Sequence, residues 1–139
     1  MQAKKITGGY FLRVDKEEEI ISSIVSFTGD KKIPSGVIAG IGALTDVTLG
    51  YFDRSHKKYL KQTFKDVYEM LNLSGNISYV EGKPLVHAHV ILGKSDYTVI
   101  GGHLFSGVVA VTGEVFIQTF EDRFSRQLNP EFNLNLLRF

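Results

Sequence analysis

His87, His89 and His103, three of the chain's four histidines, lie in one stretch, PLVHAHVILGKSDYTVIGGHLF (Pro84–Phe105). Imidazole is a common ligand for zinc and other borderline divalent metals. Three converging on one point form a recognisable ligand set with a further position open. On a strand, residues i and i+2 point to the same face, so His87 and His89 are neighbours with Cα atoms roughly 7 Å apart. The segment GKSDY reads as a hairpin turn. Pairing Leu92 with Thr98 across a five-residue loop sets His87 opposite His103 and His89 opposite Gly101. All three imidazoles then share one face, and Gly101 leaves them room. A one-residue slip would turn His103 to the other face. Glu69 and Glu114 are candidates for an extra ligand, or for a general base if a bound metal activates water. The residues also fit a second reading, in which these are sheet histidines bonded to backbone or carboxylates.

Other chemistry is weaker. In DRSHKKYLKQTFK, Lys57, Lys61 and Lys65 share a strand face with Tyr59. Basic residues interleaved with an aromatic can contact phosphates and stack on bases. The same pattern describes an edge strand protected by lysine against aggregation. GVIAGIGAL contains Gly36, Gly40 and Gly42 but is not a dinucleotide fingerprint, and no P-loop lysine follows it. Close packing against the helix or a neighbouring subunit is the better reading. No Ser-His-Asp order is legible and there is no cysteine, so no catalytic residue is assigned.

These residues need strands to position them. GGYFLRVD (Gly8–Asp15) alternates as a strand does. Asp15 then suits an N-cap, with Glu17, Glu18 and Glu19 in the first helical turn. Ile20, Ile21, Ile24, Val25 and Phe27 form an apolar stripe at helical spacing, ended by Gly29-Asp30. The chain then turns β-rich. Strands are expected at Ser35–Leu44, Thr45–Asp53, Lys58–Asp66, Val67–Val80, Pro84–Leu92, Thr98–Phe105 and Val108–Phe120. The segment EDRFSRQLNPEF reads as irregular or briefly helical, before an apolar LNLLRF. The fold class is therefore α+β: a mainly antiparallel sheet covered by one main amphipathic helix. No linker, repeat or low-complexity tract interrupts residues 1–139, so a single compact domain is expected, with its core about 8–120 and a C-terminal extension over 121–139.

Composition narrows the function. With 43% apolar residues the 139-residue chain can bury a real core. The absence of cysteine excludes disulfides and thiolate metal sites and suits a reducing, cytoplasmic setting. The N-terminus has no signal-peptide core, and no apolar run is long enough to span a membrane. Sixteen basic residues nearly balance fifteen acidic ones, for a net charge of +1. Net charge therefore gives no support to a DNA-binding role, which normally relies on a basic surface.

The motifs GVIAGIGALTDVTLGYFD, YEMLNLSGNIS, GKPLVHAHVILGKSDYTVIGGHLFSGVV and TGEVFI, taken in order, resemble the PPC ("plants and prokaryotes conserved") domain family over about Gly8 to Phe120. The resemblance implies a compact antiparallel α/β domain assembled as a homotrimer, of a kind expected to bind DNA. It also maps a metal site, most simply zinc, onto His87, His89 and His103. Two departures are clear. The Arg-Gly-Arg-Pro core of the AT-hook is absent, and with it the usual minor-groove anchor. The plant partner-binding stretch Gly-Arg-Phe-Glu-Ile-Leu reads here Asp66-Val67-Tyr68-Glu69-Met70-Leu71, so that plant role does not carry over. The expected function is a non-enzymatic oligomeric domain that is DNA-binding or regulatory and carries a three-histidine metal site. A metal-dependent, hydrolase-like enzyme acting on a small molecule is the alternative.

Overall fold

In a computed structural model describing residues 1–139, nine strands and one helix build the chain. The strands are β1 (Gln2–Ile6), β2 (Gly9–Asp15), β3 (Ser35–Asp53), β4 (Lys58–Phe64), β5 (Tyr68–Val80), β6 (Lys83–Gly93), β7 (Val99–Phe120), β8 (Ser125–Asn129) and β9 (Leu134–Arg138). The helix, α1, spans Ile20–Asp30. All nine strands belong to one sheet, antiparallel except at the single pair Tyr79↔Ser125. No helix is long and apolar enough to cross a membrane.

The sequence suggests one strand on each side of Leu44/Thr45 and one on each side of Ser106/Gly107. Instead β3 and β7 each run through as one long strand. The β3–β7 register shifts between Gly42 and Leu44 and again between Thr45 and Thr48, with Asp46 at φ +47°. Such bulges bend and twist a strand without ending it. The bend lets β3 pair with β7 along both halves, and β5 and β6 complete a closed circuit β3–β5–β6–β7. The alternate side chains of these strands join Leu12, Val14, Ile20, Ile24 and Phe27 in one cluster of buried residues. The opposite face of the β6–β7 ribbon carries the histidines.

The helix starts later than its acidic run suggests. Glu17 lies at φ +73°, and the segment pairs with β7 through Glu17 N–H to Val109 O and Val109 N–H to Glu18 O, both 2.9 Å. Residues tied into that pairing are unable to be helical. The N-cap is therefore Glu19, not Asp15. Its carboxylate accepts from Ile21 N and Ser22 N, and also from Gly107 N on β7 at 3.0 Å. Both chain ends also depart from expectation. The first residues form β1 against β2, and the segment after Phe120 forms the β8–β9 hairpin, not an irregular or helical stretch. Asn129 closes that hairpin, accepting from Glu131 N and Phe132 N as an Asx turn does.

Candidate metal centre

His89 lies directly opposite His103, and Gly93 opposite Val99. The expected register, His87 opposite His103, is two residues off. The loop is still five residues long but moves by one at each end, to Lys94–Thr98. It is fixed by Asp96, whose carboxylate accepts from Thr98 N (2.9 Å) and Thr98 Oγ1 (2.6 Å), and by Tyr97 at φ +65°. Because both strands shift together, the parity of the faces is unchanged. The three imidazoles converge, with ring centroids 5.1–5.4 Å apart and one potential ligand atom from each within 4.8 Å of the others.

The room around the cluster does not come from Gly101. That glycine faces Ile91, and a Cβ there would stand 2.7 Å from Val90 O, so it serves close strand pairing. The space comes from Gly50 on β3, which faces His103 on one side and Lys61 on the other. A Cβ at Gly50 would meet the Phe105 ring at 2.5 Å and the Tyr59 ring at 2.9 Å. These two rings fill that gap and wall His103, at centroid distances of 4.6 Å (Phe105) and 4.9 Å (Tyr59).

This packing changes the reading of the lysine strand. Tyr59 is half-buried, its hydroxyl pushed above the ordinary tyrosine value by burial, and its ring is committed to His103, Phe105 and Phe52. It is not a free stacking platform for a base. Lys61 lays its ammonium over Phe105, 3.7 Å from the ring centroid. Lys57 sits in the β3–β4 turn at φ +50°, and Lys65 lies beyond the end of β4. Glu69 and Glu114 are likewise apart from the cluster. Glu69 pairs with Gly93, four residues along β6 from His89, and Glu114 faces Arg13 and Ile41 at the far end of β7.

Electrostatics favour neutral histidines. His103 is pushed down to about 4, mainly by burial and then by His87, His89, Lys61 and Arg126. His87 is lowered by burial first, then by Arg126 and His89. A neutral imidazole is the form that binds a metal. His103 Nδ1 is also buried with no hydrogen-bond partner in the chain. An unsatisfied buried nitrogen costs about 1–3 kcal/mol, and a metal ion on that nitrogen would remove the deficit. The donor set fits zinc or a similar divalent ion, with His87, His89 and His103 as the residues to hold it.

Sequence reasoning overlooks one residue here. Arg126, on β8, reaches across β5 to the cluster. Its Nε donates to Ser78 Oγ (2.8 Å), Nη1 to Asn135 O (3.0 Å) and Nη2 to Asn76 Oδ1 (3.0 Å), with Nη2 also 3.3 Å from His87 Nδ1. The available signal was the Asn-Pro turn in NPEF between two short alternating runs, which marks a hairpin.

Residues 1–121 match the model of the Plants and Prokaryotes Conserved (PCC) domain. Among solved structures, a candidate DNA-binding protein from Bacteroides thetaiotaomicron is 36% identical, with TM-score 0.96, over 99% of this chain and 96% of that one. A plant- and prokaryote-conserved protein from Pyrococcus horikoshii is 33% identical, with TM-score 0.88, over 99% and 94%. A metal-containing protein from Archaeoglobus fulgidus is 33% identical, with TM-score 0.87, over 99% and 96%. No curated protein matches the sequence.

Proposed function

The chain belongs to the Plants and Prokaryotes Conserved domain family, and from that premise we propose that it is a non-enzymatic, oligomeric regulatory domain carrying a divalent metal on His87, His89 and His103. The observation that carries this reading is the convergence of three imidazoles, one of them with an orphaned buried nitrogen. The metal-containing relative from Archaeoglobus fulgidus supports it. Zinc is the simplest occupant for an all-nitrogen set with a remaining open position. Bound there, it would supply positive charge and Lewis acidity at the outer face of the sheet. A hydrolytic role would need a base beside the metal, and the carboxylates offered for it, Glu69 and Glu114, stand elsewhere in the chain. The non-catalytic reading is therefore preferred.

Association is supported by apolar side chains left on the outer face. Phe11, Val37 and Ile41 are 48%, 41% and 57% exposed, on strands β2 and β3 that both pair with β7. A homotrimer is the proposed assembly. The candidate DNA-binding relative supports DNA as a partner, whereas the net charge of +1 does not.

Elemental analysis of the purified protein tests the metal reading, with His89→Ala as control. About one metal per chain in the wild type, lost in the variant, is the expected result. Stoichiometric metal in the variant, or none in zinc-loaded wild type, would refute it. Sedimentation showing a monomer at micromolar concentration would remove the oligomer. Absence of DNA binding at low salt would remove DNA as a partner.

A further inference from the structure

Arg126 is a part-buried guanidinium with no carboxylate to balance it. The chain's ion pairs all lie elsewhere, and every acceptor Arg126 uses is neutral: Ser78 Oγ, Asn76 Oδ1, Asn135 O and His87 Nδ1. A structural zinc site has no need of such a cation, and a divalent ion nearby would repel it. Three neutral imidazoles leave the ion's charge uncompensated, and Lys61, its ammonium over the Phe105 ring that walls His103, adds to the positive field. The cluster together with Arg126 therefore lacks negative charge.

The contact with His87 sharpens the point. Guanidinium only donates, so the 3.3 Å approach uses a lone pair on Nδ1. A metal on His87 removes that acceptor whichever ring nitrogen it takes. If it binds Nδ1, the lone pair is used. If it binds the other nitrogen, Nδ1 must carry the proton. Metal uptake thus turns an Arg126 N–H free beside the ion.

Resting on the metal reading above, we propose that the loaded centre is a receptor for a small oxyanion, a carboxylate or phosphate. One of its oxygens completes the metal's ligand set and another accepts from Arg126. The planar guanidinium lets Arg126 stay bonded to Ser78, Asn135 and Asn76 while a further N–H meets the anion, which the single ammonium of lysine cannot reproduce. Bonds to Ser78, Asn135 and Asn76 hold the guanidinium in place, with Nη2 already beside His87. The β8–β9 hairpin is then part of the binding site, carrying the anion-recognising residue.

Cobalt(II) replaces the native ion as a coloured probe, and its visible spectrum reports a change of ligand. Cobalt-loaded wild type titrated separately with inorganic phosphate and with acetate should show a saturable spectral shift, the two arms ranking phosphate against carboxylate. Arg126→Gln should take up the same one cobalt but need about 10- to 100-fold more anion, the loss of a hydrogen bond to a charged partner. Arg126→Lys, which keeps the charge but not the fork, should fall between, and it carries the test if the glutamine variant fails to fold. Equal anion response in wild type and variants, or no response in cobalt-loaded wild type, overturns the proposal. Failure of wild type to take up cobalt overturns the metal reading beneath it instead, before any anion is added.

Discussion

Acidification of the chelator-treated protein should cost stability through His103 in a defined window. In the unfolded chain this histidine titrates near its ordinary value of 6.5, whereas in the fold it is pushed down to about 4 by burial and by the neighbouring charges. Above pH 6.5 neither state is protonated and the packing of the neutral ring contributes in full. Between 6.5 and 4 the unfolded chain takes up a proton that the native ring refuses, so stability falls as pH falls. Below 4 both are protonated and no more is lost. Each unit of difference corresponds to about 1.4 kcal/mol, so the full window is worth about 3 kcal/mol. Water at the ring's accessible edge brings the expected loss to about 2 kcal/mol. Urea unfolding at pH 7.0 and at pH 4.5, on wild type and His103→Gln, isolates this contribution as the difference of two differences. His87, shifted in the same direction, is common to both proteins. If the variant loses as much stability as the wild type, His103 is not buried as a neutral ring, and the argument that the cluster is poised for a metal falls with it.

Two further predictions concern the supports of the site. Gly50→Ala puts a methyl group 2.5 Å from Phe105 and 2.9 Å from Tyr59, so both rings must shift where they pack on His103. A loss of about 1–3 kcal/mol in chemical denaturation is expected, together with weaker zinc binding by competitive chelation; unchanged zinc affinity would mean that the rings play no part in positioning the histidine. Glu19→Ala removes the helix N-cap and the acceptor of Gly107 N in one step. It should lower stability by about 1–2 kcal/mol with metal stoichiometry intact, since α1 touches the sheet away from the outer face; a stability change within error would show that the cap is dispensable.

The fold class was legible because its signals are local. The period-2 runs and the stripe from Ile20 to Phe27 each declare an element without reference to the rest of the chain. The histidine convergence was legible for the same reason. His87 and His89 share a face by spacing alone, and any five-residue loop centred near Ser95–Asp96 keeps His103 on that face. The position of the loop was not legible, because Asp96 capping Thr98 and a left-handed Tyr97 choose between registers that hydrophobic patterning treats as equal. The helix start is not legible, because the acidic run favours a helix locally while β7 claims residues 17–19 through pairing across roughly ninety positions of sequence. The continuity of the long strands β3 and β7 is not legible, because a bulge and a turn look alike in sequence.

The division between legible and illegible residues follows the chemistry of the site. The three ligands come from one hairpin, so their convergence depends on strand parity and survives small errors of register. Their surroundings come from elsewhere. Gly50 and Tyr59 belong to the β3–β4 hairpin, and Arg126 to the C-terminal hairpin. Those non-local residues bury His103 and set its affinity for a proton. A metal competes with protons for the same nitrogen, so a ring that refuses protons above about pH 4 is free for metal across the neutral range. A chain keeping His87, His89 and His103 but losing Gly50 would retain the ligand triangle and lose the packing that tunes it. The His-x-His and Gly-Gly-His motif alone is therefore a weaker guide to metal binding than the motif accompanied by a glycine across from the third histidine, and the arginine on the C-terminal hairpin bears on the anion, not on the metal.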